Sequence, residues 1–226
     1  MGKIFTKNNT IAILRGLGNT AIIALLGFII GIIIGSCIAT VKASSKDSKT
    51  GRVFSKIGDI YVAFFRGTPI VVQLLLFYYV LFPKIGLSWL DRLAVAVIVF
   101  GLNSGAYVAE IIRAGVGAVD VGQYEAGRSL GLSTSKTLFR IVLPQAFKNS
   151  IPALGNELIA LVKDTSVAGF ISVIDITAVL NSIATARYEY TIPYLILGGI
   201  YLVIVIVLTM GIKRVEKKLS VSDRNK

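Results

Sequence analysis

The stretch QYEAGRSLGLSTSKTLFRIVLP, residues 123–144, is a polar and basic segment between two apolar regions of membrane length. Residues 121–130 predict a short helix, which Gly131 ends because glycine readily adopts the left-handed conformation that follows many helices. Ser133 is placed to cap a second helix, and Pro144 is expected to end it because proline lacks a backbone N–H. The stretch therefore predicts a compact helix-turn-helix.

The chain on either side is strongly apolar. Of its 226 residues, 54% are hydrophobic, and the mean hydropathy is +0.76, more than the core of a soluble domain of this length uses. Two stretches without any charge are long enough to cross about 30 Å of hydrocarbon as helices, and three further apolar stretches carry a few charges. We predict one all-α domain over residues 1–226, a polytopic membrane helical bundle with five transmembrane helices: 16–41, 57–82, 93–112, 151–185 and 190–212.

Several small residues and prolines predict details of these spans. Gly27, Gly31 and Gly35 share one face of the first span, which favours close packing of another helix against it. Thr68-Pro69 predicts a kink in the second span. The fourth span contains Pro152, Gly155 and Gly169, which suggest a helix, a break and a second helix. Such a break is tolerated at membrane depth where protein or a water-filled cavity covers the backbone.

The basic residues predict the orientation of the chain. Five lie between the first two spans, five between the third and fourth, and six after the fifth, which makes 16 of the 24 Lys and Arg residues. With five spans, all three groups fall on one side, and short loops rich in Lys and Arg are cytoplasmic. The amino terminus is therefore predicted outside and the carboxyl terminus in the cytoplasm.

The composition also excludes several functions. The net charge of +12 is spread over loops of one polarity without interleaved aromatic residues, which disfavours nucleic-acid binding. With no His and only Cys37, which lies in a span, we expect no metal site, no intrachain disulfide and no catalytic site. The chain also lacks a phosphate-binding Gly-Lys-Ser loop. Any ATP that drives its function must be bound by another polypeptide.

Charged side chains inside the spans are the candidates for a polar pathway. Inserting one costs about 2.5 to 3.5 kcal/mol, so those that are retained usually face the bundle interior or a pathway. The alternative role for each of these residues is an internal ion pair, and this role is favoured for Glu110 and Arg113. Asn103 and Tyr107 offer neutral hydrogen bonds one turn apart on the third span. The full set of pathway candidates is Arg66, Thr68, Gln73, Asn103, Tyr107, Glu110, Glu157, Lys163, Asp164 and Asp175.

The quoted stretch resembles a known motif. Glu125-Ala126-Gly127, three residues, Gly131, nine residues and then Ile-x-Leu-Pro is similar to the cytoplasmic EAA loop of permease subunits of binding-protein-dependent ABC importers with the type I fold. Gly127 departs from the pattern, because the family usually has a second alanine there. A polar connector between two spans, with no partner, is the alternative interpretation.

Three other segments resemble the polar and basic amino-acid uptake branch of this family. They are Phe-Arg-Gly-Thr-Pro at residues 65–69, Tyr-Val-Ala-Glu-Ile-Ile-Arg at residues 107–113, and Lys-Asp-Thr-Ser at residues 163–166. The resemblance extends from about Ile11 to the carboxyl terminus. Four acidic against two basic pathway candidates favour a cationic substrate such as arginine, lysine or histidine, and glutamine also fits this branch.

The resemblance implies how such a subunit works. The first helix of the loop would be a coupling helix that rests in a groove on an ABC ATPase, whose two copies bind ATP and Mg while this chain binds no cofactor. A second permease copy or a paralogue, an extracytoplasmic amino-acid-binding protein and the lipid bilayer would be the other partners. The residues expected to contact or approach the ATPase are Gln123, Glu125, Ala126, Gly127, Arg128 and Gly131.

Two other functions stay open on the sequence alone. An ion-coupled secondary amino-acid carrier would need no docking loop for an ATPase, and five spans are few for the repeats that such carriers use. A non-transporting membrane scaffold is disfavoured by the charged residues within spans.

Overall fold

A computed structural model describes residues 6–44 and 49–224 of the chain, which form helices and short connections. Lys3, Lys46 and Lys226, which contribute to the predicted orientation, lie outside these ranges. The α-helices are α1 (Lys7–Ser44), α2 (Lys49–Gly67), α3 (Ile70–Leu76), α4 (Phe82–Lys84), α5 (Arg92–Gly117), α6 (Val121–Ser129), α7 (Thr134–Thr137), α8 (Leu143–Asp164), α9 (Ile176–Arg187) and α10 (Thr191–Arg224).

Within the described ranges, three helices are long and apolar enough to cross a membrane alone: most of α1, all of α5, and α10 as far as Lys218. They match the first, third and fifth predicted spans. Two pairs of segments pass the same test only together, Gly51–Gly67 with Ile70–Lys84, and Thr134–Ile171 with Ile176–Arg187. Counting each bent pair as one span gives five, the number that the sequence predicts.

The second span is broken rather than kinked. Its two parts differ in direction by 108°, and Pro69 adopts an extended conformation immediately before α3. Because proline disfavours helical geometry in the residue before it, the Thr68-Pro69 pair ends α2 instead of bending it.

The break in the fourth span lies at the last of the three residues that the sequence singles out. Helix α8 continues through Pro152 and Gly155, and the direction changes by 54° only after a 3₁₀ segment, Thr165–Ile171, that contains Gly169. Gly155 serves helix packing, because a Cβ there would lie 2.6 Å from Cγ2 of Ile212 on α10. The predicted break is confirmed; of the three residues named for it, Gly169 lies at the break, whereas Pro152 and Gly155 lie inside α8.

Pro144 does not end the second helix of the quoted stretch. A π turn, Leu138–Val142, joins α7 to α8, and the Leu143 N–H bonds to the Leu138 carbonyl. The same arrangement precedes Pro83, where the π turn Phe77–Leu81 joins α3 to α4. In each π turn an N–H bonds to the carbonyl five residues earlier instead of four. This shift just before each proline lets the helix continue although proline has no backbone N–H to donate.

Helix α5 is the centre of the bundle, and α1 packs along it through the three glycines of the first span. A Cβ on Gly31 would lie 2.7 Å from Oγ of Ser104, and one on Gly35 would lie 2.6 Å from Cβ of Val108. Both distances are shorter than van der Waals contact, so only glycine allows this approach. The predicted close packing against the first span is confirmed.

Candidate functional site

The quoted stretch forms a hairpin of two helical segments, which we call the hairpin and define as residues 121–144. Helix α6 begins after Asp120, whose Oδ1 accepts the Gly122 N–H at 2.7 Å. It ends at Ser129, and Gly131 in the following turn has a φ of +78°. The Leu132 N–H closes this turn on the Gly127 carbonyl at 3.2 Å. The Lys136 N–H donates to Ser133 Oγ at 3.3 Å, so both predicted helix boundaries are confirmed.

Gly127 lies inside the hairpin. A Cβ at this position would lie 2.7 Å from Cγ2 of Thr137 and 2.9 Å from Cδ1 of Ile141. The chain therefore needs glycine here because the second helical segment crosses directly over it. Gly127 allows close approach within the hairpin, whereas the sequence interpretation had it allow the approach of a partner.

Apart from the buried Gly127 and the partly buried Tyr124, the residues of α6 are exposed. Its exposed residues include Gln123, Glu125, Ala126 and Arg128, and the Arg128 guanidinium donates to the Leu132 carbonyl at the turn. Underneath, an apolar cluster fixes the hairpin to the bundle; its members include Leu138, Val142, Leu143, Val119 and Tyr124. The side chain of Gln145 also donates to Gln123 Oε1 at 3.2 Å, which ties the start of α6 to the start of α8.

Glu110 lies at the centre of an ion-pair cluster. Its carboxylate accepts two hydrogen bonds from Arg113, at 2.8 and 3.0 Å, and lies 3.7 Å from Arg66 and 3.8 Å from Lys42. Lys42 also pairs with Asp59. The predicted structural pair of Glu110 and Arg113 is thus present, and the cluster links α1, α2 and α5.

Thr68, Gln73 and Asn103 satisfy the backbone at the break between α2 and α3. The Gln73 side chain is fully buried and donates to the carbonyls of Phe65, at 2.8 Å, and Thr68, at 3.0 Å. Asn103 donates to the Phe65 carbonyl at 3.2 Å and to Gln73 Oε1 at 2.9 Å. The Thr68 hydroxyl donates to the Phe64 carbonyl at 2.8 Å. Carbonyls freed at a helix break need such donors, so these contacts account for the three side chains without a ligand.

Asp175 is likewise engaged within the chain. It is fully buried, and its two carboxylate oxygens accept the N–H groups of Thr177, at 3.0 Å, and Ala178, at 2.9 Å. This is the geometry of a helix N-cap, in which the carboxylate accepts hydrogen bonds from N–H groups that would otherwise be unpaired in the first turn of α9. Asp175 therefore holds the break after α8 in place and does not face an open space.

Glu157, Lys163 and Asp164 remain on an accessible face of α8. Glu157 is partly buried and accepts a hydrogen bond from Ser104 Oγ at 2.9 Å, whereas Lys163 and Asp164 are exposed. Asn149 and Asn156 are also exposed, and they share a helix face with Lys163 because seven residues make about two turns. The sequence interpretation missed both asparagines, although this spacing signals a polar stripe.

Tyr107 lies beside this face. It is 36% exposed and stands one turn from Ser104 on α5, while the Arg66 guanidinium lies 5.4 Å from the centre of its ring. Ser104 in turn holds Glu157. The structure thus brings Arg66, Tyr107, Glu110 and Glu157 to neighbouring positions around α5.

Comparisons with known proteins identify relatives of the chain. The chain is 42% identical over 211 residues to the arginine transport system permease protein ArtQ of Bacillus subtilis, covering 93% of this chain and 94% of that one. It is 39% identical to the L-cystine transport system permease protein TcyB of the same species, over 90% and 85% of the two chains. A putative glutamine transport system permease protein GlnP of Rickettsia bellii is 35% identical over 88% of each.

Solved structures show the same fold. A crystal structure of an amino acid ABC transporter with histidines superposes with a TM-score of 0.83 at 36% identity, over 92% of this chain and 94% of that one. The inward-facing MetNI methionine ABC transporter superposes with a TM-score of 0.79 at 18% identity, over 95% and 99%. The fold is therefore that of ABC importer permeases.

The family model described as binding-protein-dependent transport system inner membrane component matches residues 27–221, which include the hairpin and the polar face of α8. The chain belongs to this family of inner-membrane permease components.

Proposed function

We propose that the chain is the permease subunit of an ATP-driven ABC importer for polar or basic amino acids, moved by a separate ATPase that binds the hairpin. The observation that carries the proposal is the two-sided hairpin. Its outer side presents polar residues, whereas its inner side is packed onto the bundle and continues into α8. Relatives named for arginine, glutamine and cystine transport support an amino-acid substrate.

The coupling proposal assigns the exposed residues of α6 to the ATPase contact. Gln123, Glu125, Ala126 and Arg128 would lie in the ATPase groove, and Gly127 and Gly131 would shape the hairpin that presents them. Helix α7, the π turn and α8 form one continuous helical path from the hairpin to Glu157. A displacement of α6 would therefore move the polar face of α8.

The substrate proposal assigns the amino acid to that polar face. An amino acid carries an ammonium and a carboxylate, which suit a site with both signs of charge, and Glu157, Asp164 and Lys163 provide them. Arg66 and Tyr107 would line the neighbouring wall. Because Asp175 caps a helix and Glu110 is paired with cations, the preference for a basic substrate depends on Glu157 and Asp164.

The assembly proposal completes the importer. Two permease chains, identical or paralogous, would form the pathway between them, with two ATPase subunits carrying ATP and Mg on the cytoplasmic side. An extracytoplasmic amino-acid-binding protein would deliver the substrate to the opposite side of the membrane. This chain would contribute no active site and no cofactor of its own.

Reconstitution tests the proposed function. Vesicles containing the permease and its ATPase, supplied with the binding protein, should accumulate labelled arginine or glutamine only with ATP and Mg. Replacing the catalytic residues of the ATPase should abolish uptake, and adding an unlabelled amino acid should compete. Accumulation driven by an ion gradient in the absence of the ATPase would instead favour a secondary carrier.

A further inference from the structure

Three carboxylates lie near the end of the bundle opposite the hairpin, and each caps a helix. Asp91, Asp175 and Glu189 accept backbone N–H groups in the first turns of α5, α9 and α10, respectively, at distances of 2.6 to 3.0 Å. The positive end of a helix dipole offsets a carboxylate in this position. These three carboxylates therefore lie at helix termini, and Asp91 is also exposed.

The basic residues at the same end are exposed. They are Lys7, Arg15, Lys84, Arg92 and Arg187. Among the described residues, these five cations against three carboxylates give this end of the molecule an excess of positive charge. Such an excess attracts a partner of the opposite charge and orients it during approach.

One of these cations lies in a cavity. An open cavity of about 430 Å³ is bounded by Asn19 of α1, Tyr78, residues 90–93 and residues 172–174, so the Asp91 carboxylate also lines it. Its wall is fixed by internal hydrogen bonds, since Asn19 donates to the Ile174 carbonyl at 2.8 Å. Ser172 in the same wall has a φ of +60°, an uncommon conformation for a residue with a side chain.

Arg92 is held in position within this cavity. Its Nε donates to the Tyr78 hydroxyl at 3.2 Å, which leaves the two terminal nitrogens of the guanidinium to reach a ligand. A guanidinium binds a carboxylate with two parallel hydrogen bonds. Holding the side chain in advance reduces the entropy lost when that partner arrives.

We propose that this cavity receives an acidic side chain from the docking surface of the extracytoplasmic binding protein, with Arg92 as its ion-pair partner. The inference rests on the proposed function, which places this end of the bundle outside the cell. The binding protein is favoured over a lipid phosphate because the cavity lies between α1, the start of α5 and the segment before α9, within the protein.

The test uses the whole importer in lipid nanodiscs and the cognate solute-binding protein, identified by its stimulation of ATP hydrolysis. The affinity of that protein for the nanodiscs is measured across a series of salt concentrations for the wild type, Arg92→Glu and Arg92→Ala. We expect at least a tenfold weaker affinity for Arg92→Glu, a smaller loss for Arg92→Ala, and a flatter salt dependence for both. Lys84→Glu makes the same charge change outside the cavity and should weaken binding by less than threefold.

A charge reversal on the binding protein tests the proposed ion pair directly. Replacing the matching acidic residue of the binding protein by arginine should restore binding to Arg92→Glu. Basal ATP hydrolysis by each variant shows that the importer is folded. The proposal is wrong if folded Arg92→Glu binds as tightly as the wild type, or if Lys84→Glu and Arg92→Glu weaken binding equally.

Two further outcomes separate this proposal from its alternatives. If Arg92→Glu leaves binding unchanged but removes a difference in thermal stability between phosphatidylglycerol and phosphatidylcholine nanodiscs, the cavity holds a lipid phosphate and the proposal is wrong. If the wild-type importer itself responds to no binding protein, the proposed function fails before the variants are compared.

Discussion

Gly127 of α6 and Thr137 of α7 are in such close contact that an added Cβ on the glycine would lie 2.7 Å from the methyl carbon of the threonine. Thr137 is fully buried and its hydroxyl has no hydrogen-bond partner among the described residues. Gly127→Ala should therefore separate the two halves of the hairpin. Overpacking of this kind costs about 1 to 3 kcal/mol, and we expect a lower melting temperature and less uptake per ATP.

Thr137→Ala provides the matched rescue for Gly127→Ala. It removes the two threonine atoms that the new methyl would meet, leaving only Cδ1 of Ile141 at 2.9 Å, and it removes an unsatisfied buried hydroxyl, so the double variant should recover part of the lost stability and coupling. Melting temperature and uptake per ATP, measured for both single variants and the double variant, give the interaction between the two sites. Additive effects would contradict the contact.

Gly131→Leu should uncouple ATP hydrolysis from uptake. Gly131 has a φ of +78°, which costs a residue with a Cβ roughly 1 to 2 kcal/mol, and the change would distort the end of α6 where the ATPase is proposed to bind. Gly131→Asn is the matched control, because asparagine tolerates this conformation, and it should retain most coupling. Normal uptake per ATP in Gly131→Leu vesicles would show that the turn has no part in coupling.

Glu157→Gln should weaken substrate binding without destroying the fold. The glutamine can still accept the hydrogen bond from Ser104, seen at 2.9 Å, but it loses the charge that would attract an ammonium group. We expect the KM for arginine uptake to rise at least tenfold while binding-protein-stimulated ATP hydrolysis is retained. An unchanged KM would remove Glu157 from the substrate pathway.

Asp175 should behave as a structural residue. Asp175→Ala removes both bonds to the start of α9, and loss of a helix N-cap costs about 0.5 to 2 kcal/mol, so the variant should melt at a lower temperature. Asp175→Asn can still cap and should keep both its stability and the wild-type preference among competing amino acids. A changed preference in Asp175→Asn would return this residue to the substrate pathway.

Local signals in the sequence were enough to predict the hairpin. Glycine at 131 and serine at 133 act on their own backbone or within a few residues of it, so α6 and the cap of α7 follow from the sequence alone. Pro144 was misread because its effect depends on the π turn before it, and one-residue changes in helix bonding have no clear sequence signature.

The candidate pathway residues were harder to separate into roles. Gln73, Asn103 and Asp175 are polar residues inside spans, which is all that the sequence reveals. Their partners are set by the tertiary fold, as when Asn103 reaches the Phe65 carbonyl 38 residues earlier in the chain. Only the structure distinguishes these satisfied groups from Glu157, Lys163 and Asp164 on the accessible face of α8.

Site-specific cross-linking tests the central claim most directly. In a variant with Cys37→Ala, a single cysteine is introduced as Ala126→Cys on the exposed side of α6, or as Ser88→Cys in the exposed connection before α5. The account predicts that Ala126→Cys cross-links to the ATPase, to an extent that changes when ATP is added. It also predicts that Ser88→Cys is labelled by a membrane-impermeant reagent added outside the cell and does not cross-link to the ATPase. Labelling of Ala126→Cys from outside, with no cross-link to the ATPase, would contradict the account.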